Sequence, residues 1–495
     1  MSNFLYDALV GQHTNNDAIF LETDQGARIS FAQFAQSAAQ YAHSLTHAGL
    51  NAGDRVVVYA PKLAETLFLY AGAVQAGGVY LPLNTAYTPQ ELDYFITDAA
   101  PTVLICDSAS VPKLQATADR VGACILTLDA DGSGSLPSSA ANQPTQYKTV
   151  ARGPNDLAAL LYTSGTTGRS KGAMLTHNNL ASNAKTLTKL WHITDTDRLI
   201  HALPVFHTHG LFVALNTSLI AGAKVRLMSK FDLDVIIDEL PQSTMLMGVP
   251  TFYTRLLNDG RLNAELVRSM RLFISGSAPL LAETHEEFEQ VTGQRILERY
   301  GMTETNMNTS NPYEGERRAG TVGFSLPGTE VRITDPKTSA ELPHGEIGMV
   351  EVRGDNVFGG YWNMPEKTAE ELREDGFFIT GDLGRFDEEG YLQIVGRQKD
   401  LIISGGFNIY PKEIEDVLND IDGITESAVF GVAHPDFGES VVAAIVTDSG
   451  EPMDVDGIKV AVSENLARFK HPYRYQFLTE LPRNTMGKVQ KNLLR

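Results

Sequence analysis

The sequence predicts an α/β protein: a large N-terminal domain of layered α/β subdomains plus a β subdomain, then a small C-terminal α/β domain. Three observations carry this. Over roughly the first three hundred residues, short apolar strand-like runs alternate with amphipathic helical runs, the pattern of mainly parallel sheets covered by helices. Beyond residue 320 the texture changes to short strands separated by Gly, Asp-Pro and Asp-Glu-Glu-Gly turns. From Pro411 on, helical and strand patterns alternate again, and 495 residues exceed what one hydrophobic core organises.

Taken in order, residues 18–22 read as a strand closed by the polar turn 23–26. Ser30 is placed to cap a helix whose apolar residues Phe31, Phe34, Ala38, Tyr41 and Leu45 recur at helical spacing, ending near Gly49. Residues 55–59 are strand-like and 64–76 helical, and Gly77-Gly78 stops that helix before a strand at 79–83. Thr88-Pro89-Gln90-Glu91 is a capping box with proline in the first helical position, opening a helix toward Ala99. Residues 103–106 and 124–128 are predicted as buried-type strands, and 129–149, rich in Gly, Ser and Pro, as a loop without a core-forming pattern. Strands at 198–203, 224–228, 244–247 and 271–275 interleave with helical segments around 211–219 and 235–240. The β subdomain is expected from strands at 331–333, 348–353 and 391–395. In the last unit Pro411 opens a helix over 412–418, strands follow at 427–432 and 441–447, and 455–466 is helical. There is no internal repeat.

Composition narrows the function. The chain is 43% hydrophobic and 20% charged, as a globular protein should be, with a net charge of −20. Such acidity argues against nucleic acid or an anionic membrane as the main partner, while leaving room for a local basic pocket. Cys106 and Cys124 both sit in apolar runs, so neither a disulfide framework nor a cysteine metal site is expected. No leader-like N-terminus and no run of 18 apolar residues occur, so the cytoplasm is the expected compartment.

The stretch Tyr162-Thr163-Ser164-Gly165-Thr166-Thr167-Gly168-Arg169-Ser170-Lys171-Gly172 packs three glycines, five Ser/Thr hydroxyls and two cations into eleven residues. Glycines let successive backbone N–H groups converge on one point, and such a concavity binds anions. A polyphosphate is the natural guest. The Walker A spacing is absent, and apolar residues follow at 173–176, so this loop joins strand to strand. Far downstream, the tail from Pro482 holds Arg483, Lys488, Lys491 and Arg495 with no acid, a composition suited to a loop that reaches an anionic site.

Five separated motifs then agree: 162–172, Tyr300-Gly301-Met302-Thr303-Glu304, Thr380-Gly381-Asp382, Gly396-Arg397 with Lys399-Asp400, and 482–488. In this order they resemble the adenylate-forming acyl-CoA synthetase family over essentially the whole chain. Within it the resemblance is closest to the malonyl-CoA synthetases. That closer match is carried by Glu298-Arg299 and the run through Ser310, by Leu203-Pro204 with His207-Thr208-His209-Gly210, and by Gly248-Val249-Pro250-Thr251-Phe252-Tyr253. The resemblance implies two half-reactions: a carboxylate attacks the α-phosphorus of ATP to give acyl-adenylate and pyrophosphate, then coenzyme A displaces AMP. It implies ATP, Mg²⁺ and coenzyme A as ligands and malonate, with methylmalonate, as the acid. Rival readings are a ligase for another aliphatic or aromatic acid, a stand-alone adenylation enzyme loading a carrier protein, and a luciferase-type monooxygenase.

Residue roles follow from the same resemblance. Thr163, Ser164, Gly165, Thr166, Thr167, Gly168 and Lys171 would surround the β- and γ-phosphates, and Glu304, with Thr163, would hold Mg²⁺. Gly276, Ser277, Ala278, Glu298, Tyr300, Gly301, Met302 and Thr303 would wall the nucleotide, and Asp382 would accept from the ribose hydroxyls while Arg397 donates. Lys488 is the expected catalytic cation, stabilising charge on the transferring α-phosphate. The boundary falls between residues 1–398 and a mobile domain at 399–495, with Lys399 as hinge and Gly405-Gly406 facing coenzyme A. Family members often carry basic residues near 403–405, where this chain has Ile403, Ser404 and Gly405, and Ser170 stands where proline is common. For the acid, Arg299 is placed to pair a second carboxylate bidentately. His207 and Met302 are expected at the same pocket and Arg255 is a further cation candidate. The two histidines of His207-Thr208-His209 lack a third ligand, so zinc is not expected. Acetylation of Lys488 would remove its charge, so a lysine acetyltransferase is an expected regulatory partner.

Overall fold

The protein is described by a computed structural model covering residues 3–163, 170–404, 407–434, 438–484 and 487–495. Among these residues the strands form four sheets. The first runs in the order Cys124–Thr127, Val103–Cys106, Arg55–Tyr59, Val79–Pro82, Leu157–Thr163, Lys171–Thr176. It is parallel except for its last pair. The second has a parallel core from Ile19–Thr23 across Lys224–Leu227, Arg198–His201, Met245–Gly248 and Leu272–Ser275 to Leu297–Met302. Strands with both faces covered need no polar side, which is why Val103–Cys106 is apolar and buried throughout.

Local signals set the helices that cover these sheets. Ser30 Oγ accepts from the Gln33 N–H and the Gln33 side chain accepts from the Ser30 N–H at 2.8 Å, closing a capping box that opens the helix Phe31–His47. Thr88 and Glu91 close a second box on Pro89–Ala99. Phe31–His47 packs on Ala64–Gln75 through Gly72, where a Cβ would meet the Ala38 carbonyl at 2.7 Å. Burying Phe34 and Leu45 in that contact contributes about 1.5–3 kcal/mol per side chain.

A third, antiparallel sheet (Thr329–Thr334, Gly348–Gly354, Phe378–Phe386, Leu392–Arg397) is the β subdomain. The last sheet, around the long pair Ile424–His434 and Gly438–Thr447, is covered by the helices Pro411–Asn419 and Val455–Asn465. The turn Gln398–Asp400 joins the two sheets. The predicted fold class therefore holds: a large N-terminal α/β assembly with a β subdomain, and a small C-terminal α/β domain.

Three expectations need correction. The segment 129–149 contains the helix Ser135–Ala140, whose Leu136 and Ala140 are buried. A six-residue helix with internal proline and serines has no propensity signal, and tertiary burial of Leu136 decides it. The strand Cys124–Thr127 lies at a sheet edge with Cys124 exposed, since an apolar run cannot disclose which strand is terminal. Where a helix was expected around 211–219, a π-helical turn, His209–Leu215, precedes the helix Asn216–Ala221. Gly210 at its start has no room for a Cβ, which would lie 2.1 Å from the Pro204 carbonyl oxygen. No helix among the described residues is long and apolar enough to cross a membrane.

Candidate active site

The loop motif sits where it was expected, between the antiparallel strands Leu157–Thr163 and Lys171–Thr176, with Thr163 and Lys171 directly opposite. Ser164, Gly165, Thr166, Thr167, Gly168 and Arg169 lie outside the described residues, as do Gly405 and Gly406. The Lys171 ammonium lies 3.1 Å from both oxygens of Glu371 and 3.0 Å from the Tyr361 hydroxyl. Tyr361 in turn reaches Glu371 at 2.6 Å and Glu304 at 3.1 Å. Glu304, in the turn after Leu297–Met302, is only 5% exposed, and Thr163 Oγ1 stands 3.5 Å from its carboxylate. Burial raises the Glu304 pKa, against the opposing pull of Lys171 and Arg397. A hydroxyl and one carboxylate beside a phosphate loop suit Mg²⁺, which is ordinarily held by one or two carboxylates plus substrate phosphates. Among the described residues there is no group of three or more His, Cys, Asp or Glu placed to hold a metal ion by themselves.

A second group forms on the β subdomain. Asp382 and Arg397 are cross-strand partners, and Arg397 Nε binds Asp382 Oδ1 at 2.6 Å. The Tyr300 hydroxyl donates to Asp382 Oδ2 at 2.5 Å. Below them the Thr380 hydroxyl accepts from the Asp382 N–H and donates to the Val350 carbonyl. The carboxylate expected at the ribose is thus fixed on both oxygens. Gly301 has no room for a side chain, because a Cβ would lie 2.0 Å from the Asn306 carbonyl oxygen across the tight pair with Asn306–Ser310. Met302 and Thr303 are half-buried at the end of this pair. The Glu298 carboxylate is engaged by His285 Nδ1 at 3.1 Å in a buried pair. Its side chain is therefore used elsewhere, which leaves backbone atoms for any nucleotide contact.

Lys488 approaches from the C-terminal domain. Gly487 has φ +74°, a conformation glycine adopts without strain, and packs toward Thr251 and Val249 of the N-terminal domain. Lys488 is exposed to solvent, yet surrounding protein lowers its ammonium pKa. Desolvation is the first cause and Arg397 the next, while Asp382 and Glu304 oppose. His207 lies between Lys488 and Arg299 electrostatically, and desolvation first, then those two cations, push its pKa down to about 3. Its Nδ1 accepts the His209 N–H at 3.2 Å, so in the neutral ring Nε2 carries the proton.

The acid pocket turns on Arg299. It is 4% exposed, makes no ion pair among the described residues, and its Nε and Nη2 have no hydrogen-bond partner. Desolvation lowers its pKa to about 9. Gly276 lies against it: a Cβ there would be 2.4 Å from Arg299 Cζ. Gly276 was expected only as a nucleotide wall; its lack of a side chain is also what admits the guanidinium. His209, which feels the Arg299 charge, has its Nε2 buried without a partner, Thr208 Oγ1 and Ser275 Oγ are likewise buried without partners, and His209 Nδ1 is 3.2 Å from Ser277 Oγ. Ser277, beside Ala278, has φ +72°, strained for a residue with a Cβ. Arg255 is exposed on the helix Pro250–Leu257, its guanidinium 5.3 Å from the Phe231 ring. Among the described residues no hydrogen bond or ion pair joins it to Arg299. Sequence reasoning missed Tyr361, Glu371 and His209 as parts of the two polar clusters; only the position of His209 beside His207 offered a signal.

The AMP-binding enzyme family matches residues 8–362, and the AMP-binding enzyme C-terminal domain matches residues 413–488. A malonate–CoA ligase of Arabidopsis thaliana is 35% identical, the match covering 90% of this chain and 78% of that protein. A long-chain-fatty-acid–CoA ligase of Bacillus subtilis is 33% identical, over 95% and 90%. Among solved structures, ATP-bound MatB from Rhodopseudomonas palustris superposes with a TM-score of 0.98 at 55% identity, covering 100% of this chain and 98% of that one. The apo form of the same protein, with the same identity and coverage, gives 0.88. Matching both domains over nearly the full length, this chain belongs to the adenylate-forming acyl-CoA synthetase family, as an AMP-forming acyl-CoA ligase close to malonyl-CoA synthetase.

Proposed function

We propose that this ligase activates malonate, and accepts methylmalonate, by joining it to coenzyme A through an acyl-adenylate. The observation that carries the choice of acid is the buried, unpaired Arg299. A guanidinium without a counter-ion in a desolvated wall is costly, and an acid bringing a second carboxylate supplies the missing partner. Fatty and aryl tails would leave it unpaired. The polar atoms of His209, Thr208 and Ser275 suit the same small dianion.

The chemistry then follows from the residues. One malonate oxygen attacks the α-phosphorus, the bond to the bridging oxygen breaks, and pyrophosphate leaves within the reach of Thr163, the loop 164–168 and Lys171. Glu304 and Thr163 would hold Mg²⁺, which when bound neutralises phosphate charge. Asp382 and Arg397 orient the ribose, and Lys488 stabilises charge that grows on the α-phosphate in the transition state. In the second step the thiolate of coenzyme A attacks the carbonyl carbon and the bond to AMP breaks. The C-terminal domain, residues 399–495, pivots at Lys399 to withdraw Lys488 and bring Gly405-Gly406 to the thiol. Acetylation of Lys488 by a lysine acetyltransferase would block the first step alone.

The test is pyrophosphate release over malonate, methylmalonate, sulfoacetate, acetate, hexanoate and ferulate, followed by identification of the CoA product. Malonate should give the highest kcat/KM. Preference for hexanoate or ferulate would overturn the dicarboxylate reading, and preference for sulfoacetate would keep the paired anion but change the acid.

A further inference from the structure

Lys171 is held by a carboxylate outside the five motifs that carry the family resemblance. Glu371 ends the helix Pro365–Glu371, two hundred residues further along the chain. Both of its oxygens lie 3.1 Å from the Lys171 ammonium, and the Tyr361 hydroxyl, 2.6 Å from Glu371, lies 3.0 Å from the same ammonium. The Tyr361 ring stands beneath the ammonium at 4.2 Å. Tyr361 has one hydroxyl proton, shared between Glu371 and Glu304. The chain Lys171–Glu371–Tyr361–Glu304 thus ties the expected phosphate cation to the expected metal carboxylate. Burial opposes ionisation of Glu371, but hydrogen bonds from Tyr361, Lys367 and Lys171 outweigh it and keep the carboxylate charged. Lys367, one turn earlier, is the other cation on Glu371, at 3.0 Å and more exposed.

We infer that Glu371 is a positioning residue for ATP binding: it holds Lys171, with Tyr361, at the place where the terminal phosphates arrive. A lysine carries four rotatable side-chain bonds, and ordering it costs entropy at the moment of binding unless it is already fixed. Glu371 supplies that order in advance. It also places a negative charge near the triphosphate, so two effects oppose each other. The geometry favours positioning, because the ammonium is held by two carboxylate oxygens, a hydroxyl and a ring at once. Exposure of roughly a fifth of each side chain reduces the effect, so we take the low end of the range for a charge-assisted hydrogen bond, about tenfold in affinity.

The inference rests on Lys171 as a phosphate ligand and is independent of which acid is used. The experiment is a double-mutant cycle on the full chain with Glu371→Gln, Lys171→Ala and the pair. ATP Kd is read by calorimetry and KM for ATP and acid by pyrophosphate release. With Lys171 present, Glu371→Gln should weaken ATP about tenfold and leave the acid KM unmoved; with Lys171 already removed it should change ATP affinity by less than about twofold. Glu371→Asp, which keeps the charge, should recover part of the loss and serves as the comparison should the glutamine variant fail to fold. An equal loss in both backgrounds, or tighter ATP binding by Glu371→Gln, would overturn the inference. Unchanged ATP affinity in Lys171→Ala alone would overturn it by a different route, removing the phosphate role of Lys171 while leaving the choice of acid untouched.

Discussion

Replacing Arg299 by methionine separates the account of the acid from every generic requirement of the reaction. Methionine keeps most of the volume and removes the charge. The two guanidinium nitrogens without partners, Nε and Nη2, match the two oxygens of a carboxylate, and Arg299 is 4% exposed, so solvent screening is weak. Leaving the distal carboxylate of malonate buried and unpaired should cost about 3–5 kcal/mol, a loss of roughly 10²- to 4 × 10³-fold in kcat/KM. Propanoate, which has no second carboxylate, should lose little. The free enzyme should respond in the opposite sense, because replacing an isolated buried cation by an apolar side chain removes its desolvation penalty and should stabilise the fold. Malonate should raise the thermal midpoint of the wild-type chain and not that of the variant. The assays are pyrophosphate release with each acid and thermal unfolding with and without malonate. Equal loss for malonate and propanoate would refute the reasoning.

Three further outcomes follow. Gly276→Ala places a Cβ 2.4 Å from Arg299 Cζ, so the guanidinium must shift, and malonate kcat/KM should fall more than that of propanoate. Lys488→Gln, which also mimics acetylation, should slow adenylation by about 10²- to 10³-fold while sparing thiolysis of presynthesised acyl-adenylate; full pyrophosphate release by this variant would remove both the role and the switch. His177, His201 and His207, with pKa values pushed down to about 4, 3 and 3 by burial first, stay neutral in the fold while their unfolded forms take up protons below about pH 6.5. The unfolded state then binds more protons, so stability should drop steadily as pH falls from 6.5 toward 4, and a flat thermal midpoint across that window would contradict their burial.

Much of this fold was readable because its signals are local. Ser30 with Gln33 and Thr88 with Glu91 are reciprocal hydrogen bonds within four residues, and no distant contact is needed to foresee them. Leu136 is the opposite case: its helix exists because a tertiary pocket accepts one leucine. The site divides in the same way. Glu304, Asp382, Arg397 and Lys488 stood in separated motifs, so their type and order betrayed them. Glu371 is chemically an ordinary helix-end acid, and its contact with Lys171 depends on a long-range approach. Arg299 stood out as a cation directly before the Tyr300 motif, where a fatty or aryl tail needs none, yet its lack of a partner is a property of the folded wall. Arg255 was the weaker cation candidate and proved exposed, because the helix turns Phe252, Tyr253 and Leu256 to the core and leaves 255 on its outer face.

The most direct measurement of the central claim is a crystal structure with malonate and a non-hydrolysable ATP analogue bound. The account predicts one malonate carboxylate near the α-phosphate and Lys488, and the other within hydrogen-bond distance of Arg299 Nε and Nη2. A bound acid whose second carboxylate points away from Arg299, with the guanidinium still unpaired, would contradict it.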